Sequence, residues 1–93
     1  MQDDRRLYPR SKVRWPVEMI VPPGTMDGEM LDANTFGAYI SCEKPLNPEE
    51  RLIVSAKLPT GSLLEFPAEV VWSNPNSSDD EFRPKGMAVR FLQ

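Results

Sequence analysis

The sequence predicts an all-β domain, a six-stranded antiparallel β-barrel. Its apolar side chains recur with a period of two and nowhere sustain the 3.6-residue period of an amphipathic helix. Ten prolines against five glycines cut the 93 residues into short, stiffly connected segments. Six short strands in one small domain must hide their edges, and closing the sheet on itself does so.

Each element follows from its own residues. In the first strand, Val13, Trp15, Val17, Met19 and Val21 alternate with Arg14, Pro16, Glu18 and Ile20. This places the first set on one face. Pro22-Pro23-Gly24 closes that strand, and two further strands fit Thr25–Ala33 and Ala38–Cys42. Asn47-Pro48-Glu49-Glu50 reads as a capped single helical turn, with Asn at the cap and Pro at the first helical position. In the fourth strand Leu52, Val54, Ala56 and Leu58 share a face, and Pro59-Thr60-Gly61-Ser62 is a hairpin turn into the fifth. There Leu64, Phe66, Ala68, Val70 and Trp72 alternate with Leu63, Glu65, Pro67, Glu69 and Val71, so Trp72, like Trp15, is expected in the core. Ser73–Lys85 reads as a flexible loop, with the acidic run Asp79-Asp80-Glu81 solvated in its middle. The last strand points Met87, Val89 and Phe91 inward and Arg90 outward, where it is solvated, ion-paired or on a barrel face near the arm. Pro16 and Pro67 cannot donate to a ladder and imply edge positions or bulges. Cys42 is expected to behave as a small buried apolar residue, and Met19, Met26, Met30 and Met87 as core or edge filler.

Composition removes several function classes. The chain has no histidine, which excludes His-based triads, Cys–His dyads and His-containing zinc sites. A single cysteine excludes an internal disulfide and a multi-thiolate metal site. No nucleophile–base pair points to an enzyme. The net charge of −3 argues against a DNA- or RNA-binding surface. No apolar run approaches the ~18–20 residues of a membrane span, and the polar N-terminus lacks the apolar stretch of a signal peptide. The expectation is a cytoplasmic protein without membrane association.

The charge is unevenly placed. Residues 1–14 carry a net +3 and the remaining 79 a net −6. The chain therefore divides into a flexible basic arm, residues 1–12, and a barrel domain, residues 13–93. Arg5-Arg6-Leu7-Tyr8-Pro9-Arg10 packs three guanidiniums into six residues. Such an arm either folds back on the acidic body through loose ion pairs, or uses its planar forks on a phosphate or a guanine edge. Tyr8 stacks on a base or packs on the barrel. A second segment, Asp32-Ala33-Asn34-Thr35-Phe36-Gly37, joins the second and third strands. Asp32 offers a carboxylate and Asn34 both a donor and an acceptor, while Gly37 permits a conformation or a close approach that a Cβ would prevent. An ordinary turn, in which Asp and Asn bond their own backbone, accounts for the same residues.

Together the two segments resemble the PilZ family, whose signature is an RxxxR arm before a strand followed by D/N-x-S-x-x-G. Here these are Arg6-x-x-x-Arg10 and Asp32-x-Asn34-x-x-Gly37. Arg5-Arg6 leading to Pro16-Val17 looks like the family's entry to its first strand. Val70-Val71-Trp72 and Gly86-Met87-Ala88-Val89-Arg90-Phe91 look like its last two. The resemblance implies a six-stranded barrel that binds the bacterial second messenger cyclic di-GMP as ligand, without cofactor or catalysis. It implies that Arg6 and Arg10 grip a guanine and the phosphates, that Asp32 and Asn34 hold a guanine edge, and that Gly37 keeps the surface open. Arg5, just before RxxxR, implies a stacked ligand dimer. On binding, the arm wraps the ligand and signals to a downstream protein partner. This chain departs from the family in carrying Asn34 for serine and in ending at Gln93, without the C-terminal helix of many members. The first departure favours an alternative, a PilZ-like protein-interaction module that binds no nucleotide. The second is expected to expose an apolar patch suited to a homodimer or a partner.

Overall fold

The computed structural model describes residues 11–75 and 84–92, the first three of these by their backbone alone. The strands are β1 (Ser11–Val21), β2 (Gly24–Ala33), β3 (Gly37–Cys42), β4 (Arg51–Lys57), β5 (Leu63–Asn74) and β6 (Gly86–Phe91). They form a closed barrel in the order β1-β2-β3-β6-β5-β4, every pairing antiparallel. Among the described residues there is no helix, and none long and apolar enough to cross a membrane.

The inward face is the alternation read from the sequence except in β5, where Leu64 is exposed and Trp72 turns outward. Met19, Val54, Val70, Ile40 and Met87, one from each of five strands, are essentially fully buried at the barrel centre. Leu52, Ala56, Ala68 and Val89 complete the layer, and Cys42 is buried with them. Burial pushes the Cys42 thiol's pKa up, because a thiolate there would lose its hydration. Phe66 stacks on Phe91, with centroids 5.0 Å apart, and both pack against this core.

The two strand prolines sit where a ladder stops. The β1–β4 register begins at Val17↔Ala56, one residue past Pro16. The β5–β6 register begins at Ala68↔Phe91, one residue past Pro67, whose carbonyl still accepts from Leu92 N–H at 2.8 Å. The barrel thus tolerates both without losing a bond that a ladder would need.

Two local expectations are corrected. Asn47–Glu50 is a β-turn and not a helical turn. Glu50 N–H donates to Asn47 C=O at 3.1 Å, and Glu49 has φ +78°, which fits a type II turn with Pro48 at its first central position. The flanking bonds decide the matter. Glu49 N–H donates to Val70 C=O (2.7 Å) and Val70 N–H to Glu50 C=O (2.9 Å), tying the turn to β5 instead of to a following helical residue. Trp72 is not in the core but 45% exposed. The β5–β6 register slips between Val70 and Trp72, so Val71 and Trp72 together face Ala88. That extra residue reverses the parity and turns Trp72 outward. Trp72 packs instead against Tyr39 on the outer face, ring centroids 6.1 Å apart.

Candidate functional site

The same device shapes the β2–β3 edge. Met30 pairs with Ile40 and points into the core, and simple alternation would send Asp32 after it. The register slips between them, and Asp32 pairs with Tyr39. The bulge turns the Asp32 side chain out of the core to the cavity wall beside Tyr39, with its Oδ1 covered from solvent.

Beyond Asp32 the chain turns on Asn34. Its Oδ1 accepts from Phe36 N–H (2.7 Å) and Gly37 N–H (3.1 Å), and its own N–H donates to Gly37 C=O at 3.0 Å. Both neighbours are N–H donors, which fixes the amide oxygen inward and the Nδ2 donors outward. The side chain therefore serves the turn with its acceptor and offers a ligand only its donors.

Gly37 is demanded by packing. A Cβ there would stand 2.2 Å from the Val89 carbonyl oxygen. Gly86, at the other end of the same β3–β6 ladder, would likewise press 2.2 Å from Ile40 C=O. The two strands meet too closely at both ends for a side chain.

Asp32, Asn34, Phe36, Gly37, Val71 and Arg90 are among the residues lining an open cavity of about 260 Å³ on this outer face. Its flanks are apolar and exposed, Phe36 to 55% and Val71 to 50%. Arg90 lies opposite both Gly37 of β3 and Glu69 of β5. Its Nε (3.0 Å) and Nη2 (2.5 Å) donate to one oxygen of Glu69. Glu69 itself is only 15% exposed, against 57% for Arg90. Below this, Tyr39 Oη donates to Pro84 C=O at 2.5 Å, and Asn74 Nδ2 reaches the same carbonyl at 3.3 Å. These bonds clasp the end of β5 to the entry of β6. Among the described residues no cluster of acidic, cysteine or histidine side chains is placed to hold a metal ion.

Of the residues singled out in the sequence, Asp32, Asn34 and Gly37 come together at this cavity. Arg5, Arg6, Arg10, Tyr8 and the run Asp79-Asp80-Glu81 lie outside the described residues. The backbone nonetheless fixes where the arm joins the barrel. Ser11 pairs with Ala33 and Lys12 with Asp32, so the residue after Arg10 stands beside the Asp32–Gly37 turn. Phe36, Val71 and Arg90 were not picked out as site residues. Arg90's outward parity was legible, but its approach to Gly37 depends on a β3–β6 pairing of strands far apart in sequence.

The PilZ domain family model matches residues 4–93. Among curated proteins none matches. The fold is similar to the PilZ domain with c-di-GMP of YcgR from Escherichia coli, with a TM-score of 0.74 over 97% of this chain and 79% of that one, at 15% sequence identity.

Proposed function

The chain belongs to the PilZ domain family, and from that membership we propose that it is a cyclic di-GMP receptor module of the bacterial cytoplasm, without catalytic activity. The ligand sits on the outer face between the turn and the basic arm. The observation that supports this reading is the β1–β2 register, in which Ser11 pairs with Ala33 and Lys12 with Asp32, so that the start of β1 runs beside the Asp32–Gly37 turn. Arg6 stands four residues before Arg10, at most about 14 Å of extended chain. Both guanidiniums thus start within reach of a ligand held at Asp32.

The donors and acceptors complement guanine. The Asp32 carboxylate accepts from its N1–H and N2–H groups, and the outward Nδ2 of Asn34 donates to an acceptor on the ligand. The arm arginines bring the positive charge that two phosphodiesters need, since the barrel body is acidic. Ser11 and Lys12 belong to β1, so the part of the arm that closes over the ligand is the segment before them, and Arg5 adds a second stacked molecule. The ordered arm is then the surface that a downstream protein reads.

Isothermal titration with cyclic di-GMP tests the reading. Saturable binding is expected, weakened about tenfold or more by Arg6→Ala or Arg10→Ala. A flat titration of folded wild-type protein would instead assign the barrel to protein interaction without nucleotide.

A further inference from the structure

We propose that Arg90 is a ligand-binding residue of the barrel wall, whose guanidinium fork receives the O6/N7 edge of a guanine seated in the cavity between Phe36 and Val71. This rests on the reading above and extends it to a residue outside both signature segments.

The cavity's size sets what it holds. At about 260 Å³ it falls below the roughly 300–1,000 Å³ of pockets that enclose drug-sized ligands. It therefore seats one flat base, not a whole dinucleotide. Its walls suit a base face better than a phosphate, since the exposed flanks are the Phe36 ring and the Val71 side chain. An aromatic ring at such a rim stacks on a purine.

Arg90 supplies what that base lacks. It is the one cation among the described residues lining the cavity, which also carries the Asp32 carboxylate. Glu69 engages the Nε and Nη2 donors through a single oxygen. The Nη1–Nη2 end of the fork is left for a second planar partner. Across the ladder the residue opposite is Gly37, which has no side chain to cover that end. Guanine presents donors on one edge and acceptors on another. Asp32 fits the first and Arg90 the second, so the pair reads guanine against adenine, whose N6 amino group would face the Arg90 donors.

The test is isothermal titration of cyclic di-GMP and cyclic di-AMP into wild type, Arg10→Ala, Arg90→Ala and the double variant Arg90→Ala/Glu69→Gln, with circular dichroism confirming folding. The double variant leaves no unpaired carboxylate at Glu69 and decides the matter if Arg90→Ala alone unfolds. Wild type is expected to prefer cyclic di-GMP, and loss of Arg90 to weaken it about tenfold or more while narrowing the preference. Binding within twofold of wild type, or an unchanged preference, overturns the role of Arg90 even if Arg10→Ala abolishes binding. No binding by wild type overturns the receptor reading itself, and this inference with it.

Discussion

Asn34 and Gly37 close the β2–β3 turn on each other from both sides, Asn34 N–H donating to Gly37 C=O and Gly37 N–H to Asn34 Oδ1. One side-chain oxygen thereby satisfies two backbone donors at the rim of the cavity. Asn34→Ala should lower unfolding free energy by about 1–2 kcal/mol in urea titrations, because both donors lose their acceptor. Asn34→Ser restores an acceptor with shorter reach and should recover part of that loss. Equal stability of the alanine and wild-type proteins would mean the turn is set by other bonds.

Gly37→Ala tests the β3–β6 approach. A Cβ placed 2.2 Å from a backbone carbonyl cannot be relieved by rotating a side chain. The strands must part, at a cost of about 1–3 kcal/mol or more. For a domain of this length each kcal/mol lowers Tm by roughly 4–8 °C. A drop of several degrees in calorimetry is therefore expected without any ligand present. This separates the packing demand on Gly37 from any loss of binding.

Strand parity was legible in the sequence because inward and outward residues differ in polarity, and the hairpin at Pro59–Ser62 because Gly61 supplies the φ of +97° that the turn uses. The bulges were not. Nothing in Leu31-Asp32 or Val71-Trp72 marks the extra residue, which is set by how neighbouring strands pair. Yet those bulges turn Asp32 and Trp72 outward. Asp32, Asn34 and Gly37 reach the cavity from one local turn that a short sequence pattern can mark, whereas Arg90 lines it through the pairing of β3 with β6. At Asn47–Glu50 the cap residues of a helix and the first residues of a type II turn coincide, and only the bonds to Val70 separate them.

That turn carries its own prediction. Glu49 has φ +78°, a left-handed conformation that costs a side chain with a Cβ about 1–2 kcal/mol and costs asparagine less. Glu49→Asn should raise stability by up to about 1 kcal/mol, read as a higher urea midpoint at unchanged m-value. A lower midpoint would show that the Glu49 side chain contributes more than its backbone strain costs.

Cys42 links pH to folding. Burial raises its thiol pKa above the ordinary 9.0, so the native state holds its proton at a pH where the unfolded chain has lost it. Stability from this source is complete below the unfolded pKa and falls as pH rises toward the native one. The urea midpoint of wild type should drop more steeply above pH 9 than that of Cys42→Ala, the comparison cancelling the lysine and tyrosine titrations. The native thiol should also react slowly with Ellman's reagent at pH 8, and at once in urea. Parallel pH profiles for the two proteins would contradict the desolvated thiol.

Ligand linkage gives the most direct solution test of the arm. A ligand that binds only the folded state adds about 2.7 kcal/mol at a hundred times its Kd, which for this size of domain corresponds to a Tm rise of roughly 11–22 °C. The Tm of wild type should climb with the logarithm of cyclic di-GMP concentration. Arg6→Ala and Arg10→Ala are each read against their own ligand-free Tm, so that any change in the stability of the empty protein is subtracted. Either replacement should move the climb to at least about tenfold higher ligand concentration. Asp32→Asn probes the opposite wall, exchanging a double acceptor for a group that also presents a donor to guanine N1–H. It should shift the curve in the same direction. If the arginine variants keep the wild-type curve while Asp32→Asn loses it, the ligand is held by the barrel face alone and the arm has no part in binding.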